Sequence, residues 1–410
     1  MKVLFLSNFY PPASRGGYEQ WCQEVLDGLR GKGHDVRVLT SDFGKKHLSV
    51  PDPAWVKRTL CLEMELASIR NAIQFFTHRK RREWKNLRHV SEFVGQFNPD
   101  IVLIWGMWNL HRSIPALIED LMAGRVVYYM GDYWPTLPNQ FQNYWNAPAR
   151  SFITEIPKSL LKPVAQKIIA REARPALQLD RVIFPSAFMQ DAFKQKGVEP
   201  LHTKIIYGAI DTKLYLNGHK KQSDLLSLLY IGRPSEEKGV HTAIQAVGRL
   251  VRENGFKDLK LTIVGDGEPA YKTYLYQLAN QENVASFVTF LPAQPKEALP
   301  ALYKQTDIFL FTSIWPEPFG RVIVEAMASG VVVVGAPVGG AREILTEDVN
   351  ALTFTPNDPV CLAKRLRRLI ELPELRATLS KAGREIAVRE FDLQRMTREI
   401  EAYLKSVLQQ

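Results

Sequence analysis

Short apolar runs of strand length, mostly bounded by Gly, Pro, Asn or Asp, recur along the chain. The first half carries Lys2–Asn8, Asp35–Thr40, Asp100–Trp105, Arg125–Met130, Arg181–Pro185 and Lys204–Tyr207. The second half carries 227–232 (SLLYIG), Lys260–Val264, Val288–Leu291, Asp307–Thr312, the valines from Val331 to Val334, and Asn350–Thr355. Continuous rather than alternating hydrophobicity marks strands buried on both faces, as in parallel sheets. Helical spacing separates them. Trp21, Val25, Leu26 and Leu29 share one face, with Gly31 and Gly33 closing the helix; Val240, Ala243, Ile244, Val247, Leu250 and Val251 repeat the pattern. Residues 358–408 read as amphipathic helix. Strand and helix alternate twice over, which predicts an α/β chain of two doubly wound domains facing each other across a cleft. The polar, irregular stretch 208–226 is the expected hinge. No strand is expected from Phe43 to Phe97.

Bulk properties narrow the class. The 410 residues are 46% hydrophobic and 23% charged, a globular composition with room for two or three domains. The start, MKVLFLSNFYPP, has too short an apolar run for a signal-peptide core, and no uncharged run of spanning length follows. A soluble, cytoplasmic chain is expected. Cys22, Cys61 and Cys361 lie far apart and in no metal-ligand spacing, so they read as thiols in a reducing compartment. The net charge of +10 points to nucleic acid, an anionic membrane surface or an anionic small substrate. With no zinc-finger spacing and no RNP-like aromatic motif, nucleic acid is not expected as a partner. The run His78–Arg88 (HRKRREWKNLR) holds six Arg or Lys and one Glu. It is either a solvated helix face or a surface, 79–88, for anionic lipid or an acidic acceptor.

Candidate chemistry lies after the strands, where open α/β sheets bind ligands. Gly16 and Gly17 open the first helix and allow close approach of backbone to a phosphate. Asn109 and His111 follow one strand, Gly131 and Asp132 the next. The aromatic, turn-rich stretch 133–152, with Tyr133 and Trp134, is either an acceptor-binding wall or a packed surface loop. Arg233 and Lys238 flank the loop after SLLYIG, where a guanidinium and an ammonium suit a diphosphate. Gly265 sits in the Gly-Asp-Gly loop after Lys260–Val264. Two carboxylates, Glu317 and Glu325, stand eight residues apart across a strand–loop–helix junction. The helix opening near Phe319, Gly320, Arg321 and Val322 offers N–H groups to an anion, and each carboxylate can accept two hydroxyl hydrogen bonds.

Taken together, Gly232-Arg233 with Glu237-Lys238-Gly239, Val264-Gly265-Asp266-Gly267, Glu317-Pro-Phe-Gly320 with Glu325-Ala-Met-Ala328, and Gly339-Gly340 resemble a known family. The chain looks like a GT-B fold retaining glycosyltransferase of the family 4 group (glycosyl transferases group 1), over nearly its whole length. Weaker matches are Pro11-Pro12 with Gly16-Gly17, Pro185-Ser186 and Gly208-Ala-Ile-Asp211. The resemblance implies two Rossmann-like domains. Residues 1–210 would bind the acceptor, with the carboxy-terminal helix 391–410 packing back on them, and 211–390 would bind a nucleotide-diphosphate sugar.

By the same resemblance, Arg233 and Lys238 bind the diphosphate and stabilise the departing nucleotide. The backbone from Phe319 to Val322 adds N–H donors, Glu325 holds the ribose diol and Glu317 contacts the donor sugar. Gly17 approaches the phosphate from the other domain. No metal or other cofactor is needed. Transfer retains the anomeric configuration, the leaving phosphate deprotonating the acceptor hydroxyl on the same face in a dry, closed cleft. One position departs: family members carry a His-Asp pair where this chain has Gly131-Asp132. Asp132, or His111 from the neighbouring strand end, is left to cover that role. Two further readings go with the resemblance, a nucleotide-sugar epimerase and a catalytically silent homologue acting as a partner subunit. The acceptor expected is a polysaccharide, a lipid-linked glycan or a glycolipid, handled at the inner face of a membrane. The base and sugar of the donor stay open.

Overall fold

The computed structural model describes residues 1–13, 16–66, 70–149, 152–216 and 225–410. Ser14 and Arg15 of the first loop, and 217–224 of the expected hinge, lie outside the described residues. The chain divides into two compact units, 1–184 with 190–206 and 397–410, and 185–189 with 207–396.

The first unit is built on the strands β1 (Lys2–Ser7), β2 (Asp35–Ser41), β3 (Val56–Leu60), β4 (Ile101–Gly106), β5 (Val126–Tyr129), β6 (Arg181–Phe184) and β7 (His202–Ile205). They form one sheet in the order β3-β2-β1-β4-β5-β6-β7, every pairing parallel. β1 and β4 are central, with their apolar side chains buried, as their continuous hydrophobicity requires. The order reverses between β1 and β4, so their carboxyl ends mark the switch point of the sheet.

Three expectations change here. β3 lies inside 43–97, where no strand was expected. It is an edge strand, VKRTL, in which only Val56, Arg58 and Leu60 are buried. Arg58 hides the signal: it is 3% exposed, and its Nε reaches both oxygens of Asp52 at 3.0 and 2.9 Å. β7 pairs two residues earlier than the run Lys204–Tyr207 suggests. The aromatic stretch 133–152 is not irregular throughout. Gln140–Asn146 is a helix, opened by a capping box between Asn139 and Gln142. That helix buries Phe141 and Trp145 against Phe75.

The basic run does form a helix, Arg79–Phe97, seated by Asn86, Val90, Val94 and Phe97. The end of the chain packs on this unit through Ile400 and Leu404, both buried. Glu401 receives Lys32 Nζ at 2.5 Å and faces His34 Nε2 at 3.0 Å.

The second unit is built on β8 (Leu226–Ile231), β9 (Leu259–Val264), β10 (Val288–Leu291), β11 (Ile308–Phe311), β12 (Val332–Gly335) and β13 (Ala351–Thr353). They order β10-β9-β8-β11-β12-β13, again parallel. The core joins Ile263, Leu310 and Val334 of the sheet to Ile244 and Val247 of the helix Val240–Asn254 and Leu366 of the helix Pro359–Glu371. Residues 185–189 belong here: Ser186 Oγ donates to Pro318 O at 2.6 Å, and the Ala187 and Phe188 N–H groups donate to the Glu343 carboxylate at 2.9 and 2.7 Å.

Candidate active site

In the second unit the candidate groups gather on loops after β8, β9, β11 and β12. Gly239 makes the first of these junctions possible. Its φ is +64°, and a Cβ there would stand 2.1 Å from Thr312 O, so only glycine lets the two loops touch. Thr312 Oγ1 donates to Lys238 O at 2.8 Å, and the Ile314 and Trp315 N–H groups donate to Glu237 O at 2.9 and 3.0 Å. This backbone seam brings Lys238 to Glu317, Nζ to Oε1, at 2.9 Å. Neither side chain is sealed, at 23% and 21% exposed, so the pair stands at the surface of the seam and a ligand can reach it.

Arg233 is not drawn into that pair. Its guanidinium reaches Glu237 Oε1 at 3.1 Å and stays 61% exposed. Gly265 follows β9 and donates to Leu291 O at 3.0 Å, which ties its loop to the end of β10. Gly340 donates to Glu317 O at 2.7 Å, fixing the backbone that carries the first carboxylate.

The helix after β11 runs Arg321–Ala328, with Gly320 at its N-cap and no side chain capping it. Phe319 is 2% exposed and packs edge-on against Phe391 at 5.5 Å. The loop is therefore anchored just before the N–H groups of Arg321 and Val322. Glu325 lies one turn in and is 3% exposed. Its two oxygens are each engaged, Oε1 by Arg321 Nε at 3.0 Å and Oε2 by the Tyr303 hydroxyl at 3.1 Å. Burial, and then the charge of Glu325, push the Tyr303 hydroxyl well up. No short-range pattern in the sequence singles out Tyr303; the contact joins two separate helices.

In the first unit Gly16 caps the helix Gly17–Gly31 in an extended conformation. The next side chain explains the departure at Gly131. A Cβ on Gly131 would stand 2.2 Å from Cε2 of Tyr18, so the tyrosine ring occupies the space a side chain at 131 would need. The Tyr18 hydroxyl lies 2.5 Å from both Trp105 O and Tyr129 O, and accepts from Gly131 N at 3.1 Å. The rings of Trp105 and Tyr129 stack beneath it at 4.1 Å. The sequence reading missed Tyr18, although its place directly after Gly16-Gly17 was a usable signal.

Asp132 is half-buried and accepts from Trp134 N at 3.3 Å. Burial, aided by the charge of Glu19, pushes its carboxyl up to about 7. His111 turns to Ser113 Oγ at 2.6 Å and Glu83 Oε1 at 3.1 Å, and burial lowers its pKa. Asn109, 3% exposed, spends both ends of its amide on Met64, at 3.0 Å to N and 2.8 Å to O. It therefore positions the loop after β3. Tyr133 stacks on Phe193, and burial raises its hydroxyl to about 12. Trp134 is 8% exposed. Among the described residues no group of three or more His, Cys, Asp or Glu side chains is arranged to hold a metal ion.

Both halves match known family models: 15–214 matches Glycosyltransferase Family 4, and 211–386 matches Glycosyl transferases group 1. The uncharacterized glycosyltransferase MJ1607 of Methanocaldococcus jannaschii is 34% identical over 393 residues, 90% of this chain and 89% of that one. Spore coat protein SA of Bacillus subtilis is 29% identical over 216 residues, 47% of this chain, and the match spans only 56% of that protein. In fold, the chain is similar to Anabaena Alr3699/HepE, solved in complex with UDP and glucose, with a TM-score of 0.69 at 23% identity over 99% of this chain and 100% of that one. Two parallel-sheet α/β units with these motifs after their strands are the GT-B arrangement, and the chain belongs to the group 1 glycosyltransferases, with a family 4 amino-terminal half.

Proposed function

We propose that this glycosyltransferase is a retaining, metal-independent enzyme that moves a sugar from a nucleotide-diphosphate donor to an acceptor hydroxyl on a polysaccharide or lipid-linked glycan. The observation that carries the donor part is the Lys238–Glu317 pair at 2.9 Å, beside the uncapped start of the helix Arg321–Ala328. A cation, a hydroxyl acceptor and a helix start with no side-chain cap, in one unit, form a set suited to the sugar–diphosphate junction. Lys238, joined by the exposed Arg233, would neutralise the leaving diphosphate, and Glu317 would take sugar hydroxyls. Glu325 keeps lone pairs on both oxygens beyond its bonds to Arg321 and Tyr303, so it can accept ribose hydroxyls as well.

Retention follows from the role given to the phosphate. With the positive charge on the leaving group, a phosphate oxygen on the departing face is the base that meets the acceptor hydroxyl, and the new bond forms on that face. The first unit would hold the acceptor at the carboxyl ends of β3, β4 and β5, and the basic helix Arg79–Phe97 would rest against an anionic membrane on its cytoplasmic side. No described helix is long and apolar enough to cross a membrane.

The experiment is a screen of UDP-, GDP- and ADP-sugars for donor hydrolysis and transfer, beginning with UDP-glucose, which Anabaena HepE binds. One donor class should turn over. Lys238→Ala should cut its kcat by about a hundredfold or more, as loss of a group aimed at developing charge does. Unchanged turnover in that variant would remove Lys238 from the chemistry.

A further inference from the structure

We propose that the first unit carries a subsite for a neutral, hydroxyl-rich sugar ring of the acceptor, built on the Glu63 carboxyl and the Trp134 indole N–H. The proposal rests on the transferase reading above and names the acceptor chemistry. Both residues line one cleft formed by the chain after β3, β4 and β5, beside the switch point of the sheet. Its cavity volume of about 90 Å³ admits several waters, or one edge of a pyranose ring.

Both groups are held in place with hydrogen-bonding capacity to spare. Glu63 is 8% exposed, and its loop is pinned from below: its own N–H donates to Asn109 O at 2.9 Å, and Asn109 holds Met64 by both ends of its amide. The carboxyl accepts one long bond, from Gln140 N to Oε2 at 3.3 Å. Trp134 is equally buried, and its indole Nε1 has no acceptor among the described residues. A buried N–H of this kind is unfavourable until something supplies an oxygen. The hydroxyls of a sugar suit both partners, donating to the carboxyl and accepting from the indole.

The charges in the wall argue for a neutral ring. Arg174 Nη2 is occupied by Leu137 O at 2.6 Å and Pro135 O at 3.2 Å, and Arg112 Nη1 by Pro135 O at 2.8 Å. Glu172 is taken by Arg79. An anionic group would find Arg174 Nη2 and Arg112 Nη1 already bound to carbonyls, with Arg112 Nε left without an acceptor among the described residues, and would face Glu63. Loss of hydration pushes the Glu63 carboxyl up to about 7, with the charge of Glu83 adding and those of Arg79 and Arg174 opposing. Near neutrality it accepts a hydroxyl proton or offers its own. Neither state needs a cation in the ligand.

The test is saturation-transfer NMR on the full chain with methyl glycosides of glucose, galactose, mannose and N-acetylglucosamine, and methyl glucuronide as the charged comparator. At least one neutral glycoside should bind in preference to the glucuronide. Glu63→Gln and Trp134→Phe, which keep the shapes and remove the paired groups, should each weaken that binding by about tenfold. Circular dichroism and the thermal midpoint check folding, and either folded variant decides. Lys238→Ala should leave the glycoside signal intact. The subsite is refuted if no neutral glycoside binds, if the glucuronide is preferred, or if the folded variants bind as well as the parent. Glycoside binding without turnover of any nucleotide sugar would instead sink the transferase reading and leave the subsite standing.

Discussion

Position 131 shows how one missing Cβ reorganises a site. The space beside the glycine is filled by Tyr18, whose hydroxyl is locked onto three backbone groups. A side chain at 131 must move that ring, and the ring also lies near Gly106, where a Cβ would sit 3.3 Å from Cε1. Gly131→Ala should therefore destabilise the protein by about 1–3 kcal/mol, the usual cost of overpacking. In chemical denaturation the double variant Gly131→Ala with Tyr18→Ala should be less destabilised than the sum of the two singles, a coupling of about 0.5 kcal/mol or more. Additive effects would mean that ring and glycine are independent. The sequence showed that a histidine was absent and offered Asp132 or His111 in its place. It could not show that the vacancy is occupied from 113 residues away, since only the folded chain brings the Tyr18 ring and hydroxyl against Gly131.

At the scale of elements, strands buried on both faces were easy to read and edge elements were not. β1 and β4 announce themselves by composition, whereas β3 hides a buried Arg58, paired with the half-buried Asp52 ahead of the strand, behind a polar sequence. The helix Arg79–Phe97 shows the opposite difficulty: its charge was obvious, but its partners were not. Arg79 and Lys80 reach Glu172, Arg82 holds Glu65 at 2.6 Å and Arg88 holds Glu92 at 2.7 Å. Much of the charge is thus internally paired, which weakens its field at a surface. What remains outward includes Trp84, 63% exposed among the cations, a side chain suited to a headgroup layer. Replacing the basic residues of 79–88 with Gln should loosen sedimentation with anionic vesicles at low salt, and the parent's binding should fall as salt rises. Equal binding by parent and variant would assign the helix to solvation alone. Since Arg79 and Arg82 also brace the fold, the thermal midpoint of the variant has to be read beside it.

For the whole molecule, two periods of strand and helix carried the fold class, and the glycine and carboxylate spacing carried the family. Pairing order did not follow from either: nothing in the runs themselves says that β1 lies between β2 and β4, or β8 between β9 and β11. The same division holds for the site. Glu317 and Lys238 were each legible as types at strand ends, but their 2.9 Å pairing depends on the Gly239–Thr312 contact between two strand–helix junctions. That pairing bears on the proposed chemistry. A departing nucleotide diphosphate needs positive charge, from side chains or from a divalent ion. If Lys238 and Arg233 supply it, transfer by the intact protein should be unchanged by excess EDTA, and added Mg²⁺ or Mn²⁺ should not rescue Lys238→Ala. Turnover lost in the chelator and restored by either ion would place a divalent cation at the diphosphate and reduce the two side chains to an accessory role. An intact rate in EDTA, together with a crippled and unrescued Lys238→Ala, would leave the lysine as the group that draws the electrons of the breaking bond.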